Sequence, residues 1–330
     1  MNPGTAITVL MPCRDAENTV SLAARSVLRQ QGGLDLRLLA VDDGSRDNTL
    51  PILEELALKD PRVSVVAQKR SGLVAALNRG LELVETPLIA RQDADDVSHP
   101  RRLASQLKLL GPADVVGCRI RGFPRELVQG GMQRYESWQN RLDTHAEMQE
   151  QLWVESPLAH ATALMKTRAL KDAGAFRQLD GPEDWDLWVR LFKAGRRFEK
   201  VPRTLYFWRE HEKRATRTDP RLFEDNFRAL KLAHLLDGPL QGAGRVELWS
   251  HGRQGRAWAD LLSGRESFRF CYRDLNPKPV MAGRAPLPGF PLKNQGMLLV
   301  AYGTESIRRW FADKLADLGG RSGRNYLLLG

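Results

Sequence analysis

The chain is expected to fold as an α/β protein in two parts, a larger helix-covered sheet followed by a smaller one. Three observations predict this. Short apolar runs alternate with helical patterns from residue 6 onward, acidic clusters recur where those runs end, and the pattern restarts at Arg245 after a glycine-containing break. Strand and helix in that rhythm argue for a parallel sheet with helices on its faces. In such sheets ligands bind outside the carboxyl ends of the strands.

Residues 6–12 (Ala-Ile-Thr-Val-Leu-Met-Pro) are almost continuously apolar, as a strand buried on both faces should be. Cys13-Arg14-Asp15-Ala16-Glu17-Asn18 follows, then a helical pattern with Val20, Ala24, Val27 and Leu28 on one side. A second run, Leu36 to Val41, ends in Asp42-Asp43-Gly44-Ser45-Arg46-Asp47. The next helix turns Ile52, Leu53 and Leu56 inward, and Pro51 is tolerated near its first turn. Val63 to Val66 is a third strand, followed by Arg70-Ser71-Gly72 and a helix carrying Leu73, Leu77, Leu81 and Val84. A fourth run, Pro87 to Gln92, delivers Asp93-Ala94-Asp95-Asp96.

Three carboxylates in four residues repel one another, and folding does not require them. Clustered hard oxygens suit Mg²⁺ or Mn²⁺, usually shared with substrate phosphates; a solvated loop before the next helix is the plainer alternative. Asp42-Asp43 ends its strand in the same way, so both clusters should converge on one crevice. Either residue also fits an ordinary turn before Gly44.

Later, Asp180-Gly181-Pro182 turns the chain into Glu183-Asp184-Trp185-Asp186-Leu187-Trp188, and Trp185, Trp188, Leu191 and Phe192 recur at helical spacing. Glu183 and Asp184 sit in the first turn, where carboxylates complement the helix dipole by about 0.3–1 kcal/mol. Tyr206-Phe207-Trp208-Arg209-Glu210-His211 lies further on, with Arg214 beyond it. The stretch from Arg119 to Gln151 reads as a loop and helix.

Taken together, Pro12 to Glu17, Val41 to Asp47, Gly72 to Gly80 with Ala75, Ala76 and Asn78, and Gln92 to Asp96 resemble the nucleotide-sugar half of a family 2 glycosyltransferase with the GT-A fold. The resemblance covers residues 6–216 and implies a domain over 1–216. It implies a donor-binding set of Pro12, Arg14, Glu17, Asp43, Arg70, Asn78, Asp93 and Arg209. Within that set Asp43 reads the base of a UDP-type donor and Asp93 lies near the ribose. It further implies a divalent cation, Mg²⁺ or Mn²⁺, at Asp95, with His211 touching the metal or the diphosphate and Arg209 or Arg214 as a phosphate partner. Asp184 becomes the catalytic base, with Glu183 beside it. Inverting transfer needs such a carboxylate to take the proton of the attacking hydroxyl. The acceptor would be a glycan, a lipid-linked sugar or a protein.

Residues 217–244 read as a helical linker and 245–330 as a Rossmann-like accessory domain. Ser250-His251-Gly252-Arg253-Gln254-Gly255 resembles a dinucleotide-type turn with serine at the first glycine position, and Asp274 follows about 20 residues later. The serine argues against NAD as a cofactor, so a fold relic or a regulatory site is expected there.

The net charge is +10, and residues 216–330 carry 18 basic and 11 acidic side chains, a balance of +7. That excess suits a peripheral contact with anionic membrane or a solvated face alike. No nucleic-acid motif accompanies it. Three scattered cysteines, no signal-like N-terminus and no apolar stretch near ~20 residues point to the cytoplasm, with the inner membrane face as an added location. A catalytically silent nucleotide-sugar sensor acting through the C-terminal domain is the alternative to an enzyme; a nicotinamide oxidoreductase built on that domain is a third reading.

Overall fold

A computed structural model of the chain describes residues 6–212, 214, 219–289 and 296–330. It divides into two compact units, Met1–Gln149 with Pro157–Asp219, and Glu150–Ser156 with Pro220–Gly330.

In the first unit β1 (Ile7–Cys13), α1 (Val20–Leu28), β2 (Leu36–Asp42), α2 (Thr49–Lys59), β3 (Val63–Ala67), α3 (Leu73–Leu83) and β4 (Leu88–Arg91) occur in the expected order. β1 pairs in parallel with both β2 and β4, and β2 with β3. Every residue of β1 except Pro12 is buried, because helices cover both faces of the sheet. Gly80 lets α3 lie against β1, where a Cβ would collide with the Leu10 side chain.

Beyond β4 come β5 (Val97–Ser98), α4 (Arg102–Leu107), β6 (Val115–Phe123), α5 (Gly130–Gln139), α6 (His145–Gln151), β7 (Leu164–Lys166), α7 (Thr167–Asp172), α8 (Glu183–Lys193) and β8 (Phe198–Arg209). These strands complete one sheet in the order β3-β2-β1-β4-β7-β6-β8-β5. The sheet is mixed rather than wholly parallel, since β7 runs antiparallel to β4 and β6. Residues 119–123, expected in a loop, finish strand β6, where they pair with β8 across a register shift. α8 has the apolar face its sequence spacing requires, with Trp185, Leu187, Trp188 and Leu191 all buried.

The second unit holds α9 (Glu224–Leu236), β9 (Arg245–Ser250), α10 (Gly252–Leu262), β10 (Arg269–Asp274), α11 (Pro277–Met281), β11 (Gly296–Ala301), α12 (Glu305–Asp317) and β12 (Tyr326–Leu329). Its four strands are all parallel, in the order β10-β9-β11-β12. The helix expected as a linker, α9, is counted with this unit. Its Lys231 is buried and donates to Val154 O at 2.7 Å, holding the Glu150–Ser156 segment. Among the described residues no helix is long and apolar enough to cross a membrane.

Candidate active site

The carboxyl ends of β1, β2 and β4 meet at one edge of the first sheet. Register places Cys13 beside Asp42 and Leu10 beside Arg91. The buried Cys13 thiol reports the crowding: burial and the charges of Asp42, Asp93 and Asp95 push its pKa up, with Arg91 opposing. The expected convergence of the two acidic clusters is therefore found.

Asp42 and Asp43 serve their own loops. Asp42 accepts from the Ser45 N–H at 3.1 Å and from its hydroxyl. The Asp43 carboxylate accepts from Gln68 Nε2 (2.8 Å), Ser71 N (2.7 Å) and Gly72 N (2.8 Å), which ties the loop after β3 to the end of β2. Gly44 sits at φ +68°, and a Cβ there would lie 2.8 Å from the Arg70 backbone nitrogen, so only glycine fits. Arg14 donates to Asp43 O at 3.0 Å. Glu17 accepts from Asn48 N and Nδ2 while its own N–H donates to Asp47. Pro12 is half-buried in β1, and Arg70 is exposed. The Asn78 amide pairs with both backbone groups of Phe176, at 2.9 and 3.1 Å. No hydrogen bond described for Pro12, Glu17, Arg70 or Asn78 reaches the Asp93–Asp96 turn; Glu17 and Asn78 instead tie down backbone at Asn48 and Phe176.

That turn is built around a residue to which the sequence reading gave no role. Gln92 is buried, donates from Nε2 to Asp93 O and Asp96 O, and accepts from Ser98 Oγ at 2.6 Å. One ligand atom from each of Asp93, Asp95 and Asp96 falls within a 4.8 Å span. Asp93 is held by Arg91 Nη2 (2.7 Å), and its N–H donates to Tyr206 OH (3.1 Å). Asp95 Oδ2 lies 2.9 Å from His211 Nε2. Asp96 is wholly buried; its Oδ1 accepts from Arg209 N at 2.6 Å, while Oδ2 has no partner among the described residues. Burial and the charges of Asp95 and Asp93 push the Asp96 pKa well up. A buried carboxylate oxygen without a donor, facing two more carboxylates, suits a hard divalent cation. Arg209 comes to the cluster, with Nε donating to Asp95 O at 2.7 Å. Arg214 lies with its guanidinium 3.9 Å from the centre of the Trp208 ring, 3.5 Å from Glu210, and its charge opposes the rise at Asp96.

The acceptor-side carboxylates stand at the start of α8. Asp184 Oδ1 accepts from Trp185 N at 2.7 Å. Glu183 Oε1 lies 3.4 Å from His160 Nδ1. Burial would raise the Glu183 pKa, but the His160 hydrogen bond, its charge and Arg91 bring it below the usual glutamate value. His160 moves down, chiefly by burial and then by Arg91, with Glu183 and Asp93 opposing. Its ring lies between Phe176 and the edge of Trp188, at 5.2 and 5.8 Å between centroids. Arg91 thus joins the two halves: it grips Asp93 directly, and its charge acts on both His160 and Glu183. Arg102 fixes this junction from below, fully buried, donating to Arg91 O (2.9 Å) and Ala161 O (3.1 Å). His160 and Arg91 escaped the sequence reading because each lies in an apolar run, where a polar residue reads as an interruption; Arg102 follows Arg101 at a helix start, where a charged residue reads as solvated.

The description of glycosyl transferase family 2 matches residues 8–174. Glycosyltransferase EpsE of Bacillus subtilis is 31% identical over 218 residues, which is 64% of this chain and 75% of that protein. An uncharacterized glycosyltransferase of Haemophilus influenzae is 23% identical over 198 residues, covering 57% of this chain and 61% of its own length. Chondroitin synthase of Pasteurella multocida is 22% identical over 58% of this chain, though only 19% of the synthase is matched. Among solved structures, S. aureus TarS with UDP-GlcNAc superposes with TM-score 0.59 at 18% identity, covering 78% of this chain and 71% of that one. A mannosyltransferase of Pyrobaculum calidifontis, solved with GDP-Man and Mn²⁺, gives 0.51 at 20% identity over 70% of this chain and 62% of its own. Those structural likenesses speak to the fold, which is GT-A. With the family description spanning half of the chain and a relative matched over three quarters of its length, the chain belongs to glycosyltransferase family 2 and is an enzyme of the glycosyltransferase class.

Proposed function

We propose that this enzyme moves a sugar from a nucleoside-diphosphate donor, a UDP-sugar first, to a hydroxyl of a glycan, lipid-linked or protein acceptor, with inversion. The observation that carries the reading is the Asp93-Asp95-Asp96 cluster, with Arg91 paired to Asp93, beside a Glu183–His160 pair at the head of α8 on which the Arg91 charge acts. The UDP assignment draws on the UDP-GlcNAc complex of TarS; the GDP-Man complex makes GDP the competitor.

Each residue then has a task. Asp43, Arg14 and Arg70 frame the nucleoside end, and Asp93 the ribose. Asp95, with Asp96 and Asp93 at hand and His211 beside it, would hold Mg²⁺ or Mn²⁺. Such an ion offsets the charge that develops on the departing diphosphate. Asp184 accepts the acceptor hydroxyl's proton as that oxygen bonds to the anomeric carbon and the bond to the diphosphate breaks. A single displacement of this kind inverts the centre. Glu183, kept ionised by His160, holds a second negative charge beside Asp184 and fixes the first turn of α8. Cytoplasmic action with a peripheral contact on anionic membrane, through the basic C-terminal third, completes the reading.

The test is a calorimetric and thermal-shift panel of UDP, GDP and CMP with and without Mn²⁺, joined to transfer assays. Wild-type protein is expected to gain several degrees with one nucleoside diphosphate only when Mn²⁺ is present, since a ligand at 100 times Kd adds about 2.7 kcal/mol. Asp95→Ala should abolish that shift. Asp184→Asn should keep it and lose about 10²–10⁴ in transfer rate. Equal loss of donor affinity in both variants would overturn the division of labour. A wild type that binds donor yet transfers to no glycan acceptor would favour a sensor.

A further inference from the structure

The second unit has the geometry of a ligand site of its own. From β9 the chain crosses outward to β10 and then back past β9 to β11, so the connections leave the neighbouring strands β9 and β11 on opposite sides. The crevice outside the carboxyl ends of two such strands is where open parallel sheets take ligands.

The residues at that crevice fit a nucleotide in detail. The turn out of β9 is His251-Gly252, where α10 begins. Gly252 lies at φ +71°, and a Cβ built on it would meet nothing within 4 Å, which leaves open space directly over the backbone. Gly255 is the reverse: a Cβ there would lie 2.7 Å from Tyr272 Oη and 2.8 Å from Ser250 Oγ, the close helix-to-strand contact that the third glycine of a dinucleotide turn supplies. Ser250 stands where such a turn has its first glycine. Its hydroxyl is buried and donates inward to Ala301 O, so the departure does not fill the mouth. Asp274 ends β10 level with Ser250, the position from which a carboxylate takes ribose hydroxyls. At present it lies 2.6 Å from His251 Nδ1, and both side chains are about half exposed.

Two further groups have unused hydrogen-bonding capacity at this end of the sheet. Tyr272 Oη has neither accessible surface nor partner among the described residues. Arg308, only 6% exposed, donates from Nη1 to Tyr302 O just past β11, while its Nε is without a partner among the described residues. A buried cation and an open helix N-terminus both favour an anion.

We infer that the second unit binds a ribonucleoside diphosphate across the ends of β9 and β11, with the diphosphate over Gly252 and the ribose hydroxyls on Asp274 in exchange for His251. The diphosphate can be free or part of a dinucleotide, because both present the same chemistry to the turn.

The test uses the full chain carrying Asp95→Ala, which silences the cluster in the first unit, titrated calorimetrically with ADP, UDP and NAD in the absence of added metal. One of the three is expected to bind with one equivalent, and its base names the source. Adding Asp274→Asn should weaken that binding at least tenfold, and the 2′-deoxy form of the same nucleotide should bind the parent comparably weakly. Asp274 is half exposed, so the variant is expected to keep the melting temperature of the unliganded protein, which is measured alongside. The inference is overturned if none of the three binds the Asp95→Ala protein, or if Asp274→Asn leaves the affinity unchanged. Nucleotide binding that disappears with Asp95→Ala alone belongs to the first unit, and it too overturns the second site while leaving the transferase reading intact.

Discussion

Glu183 owes its charge to a neighbour 23 positions earlier in the chain. Burial alone would raise its pKa, and the His160 hydrogen bond reverses the direction. The consequence for stability has a definite sign. Both groups have folded pKa values below their ordinary ones, 6.5 for histidine and 4.5 for glutamate. As pH falls below about 6.5 the unfolded chain therefore binds more protons than the folded one, and stability is lost. The charges facing His160 are Arg91, Glu183 and Asp93. Melting temperature should thus drop from pH 7 to pH 5, and His160→Gln should flatten the upper part of the drop while moving the acid limb of the transfer rate upward. A variant with the wild-type slope would remove His160 from this role. Residue types at this scale were legible in part. The Asp93–Asp96 cluster stands out by charge and spacing, whereas Glu183, Asp184, Arg209 and His211 were singled out through the family resemblance. Asp43 and Asn78 were seen as ligand contacts, and the folded chain gives them hydrogen bonds to loop backbone that only three-dimensional proximity supplies.

At the scale of elements, the strand ends are positioned by close packing of helices on the sheet. α3 approaches β1 through Gly80, and β1 neighbours both acidic strands. Gly80→Ala should therefore cost about 1–3 kcal/mol through overpacking against Leu10. Urea denaturation with an unchanged slope would measure it, and a neutral result would mean Leu10 has room to turn aside. β1 to β4 were legible because buried parallel strands are continuous apolar runs. β5 and β7 were not, being two and three residues long. β6 was missed, and Arg119 and Arg121 interrupt its apolar pattern. Arg119 makes an ion pair with Asp143 and Arg121 faces solvent, on strand positions that alternate with buried Cys118 and Ile120. Such partners lie too far along the chain for a local pattern to reveal.

Over the whole molecule, charge is unevenly placed, with +7 of the +10 in residues 216–330. Binding to vesicles rich in anionic lipid is expected at low salt and should fade as the Debye length shrinks from about 10 Å at 0.1 M to about 3 Å at 1 M. Sedimentation with vesicles checks this, and salt-independent binding would point to an apolar contact instead. The division into units follows side-chain commitments rather than chain order, since the segment Glu150–Ser156 is counted with residues 220–330.

Alternation of apolar runs with helical patterns, and acidic residues at the run ends, were enough for the sequence to determine an α/β architecture and the edge at which a site would form, while the family came from the resemblance of its motif blocks. These are local properties, set by which residues must leave water and which cannot. Tertiary structure alone decided that Arg91 would pair with Asp93 while its charge acts on Glu183 and His160, that Asp96 would keep a buried oxygen without a partner among the described residues, and that Ser250 would turn inward from the second crevice. Each depends on distances between residues far apart in the chain, and on how low-dielectric surroundings magnify the charges brought together there.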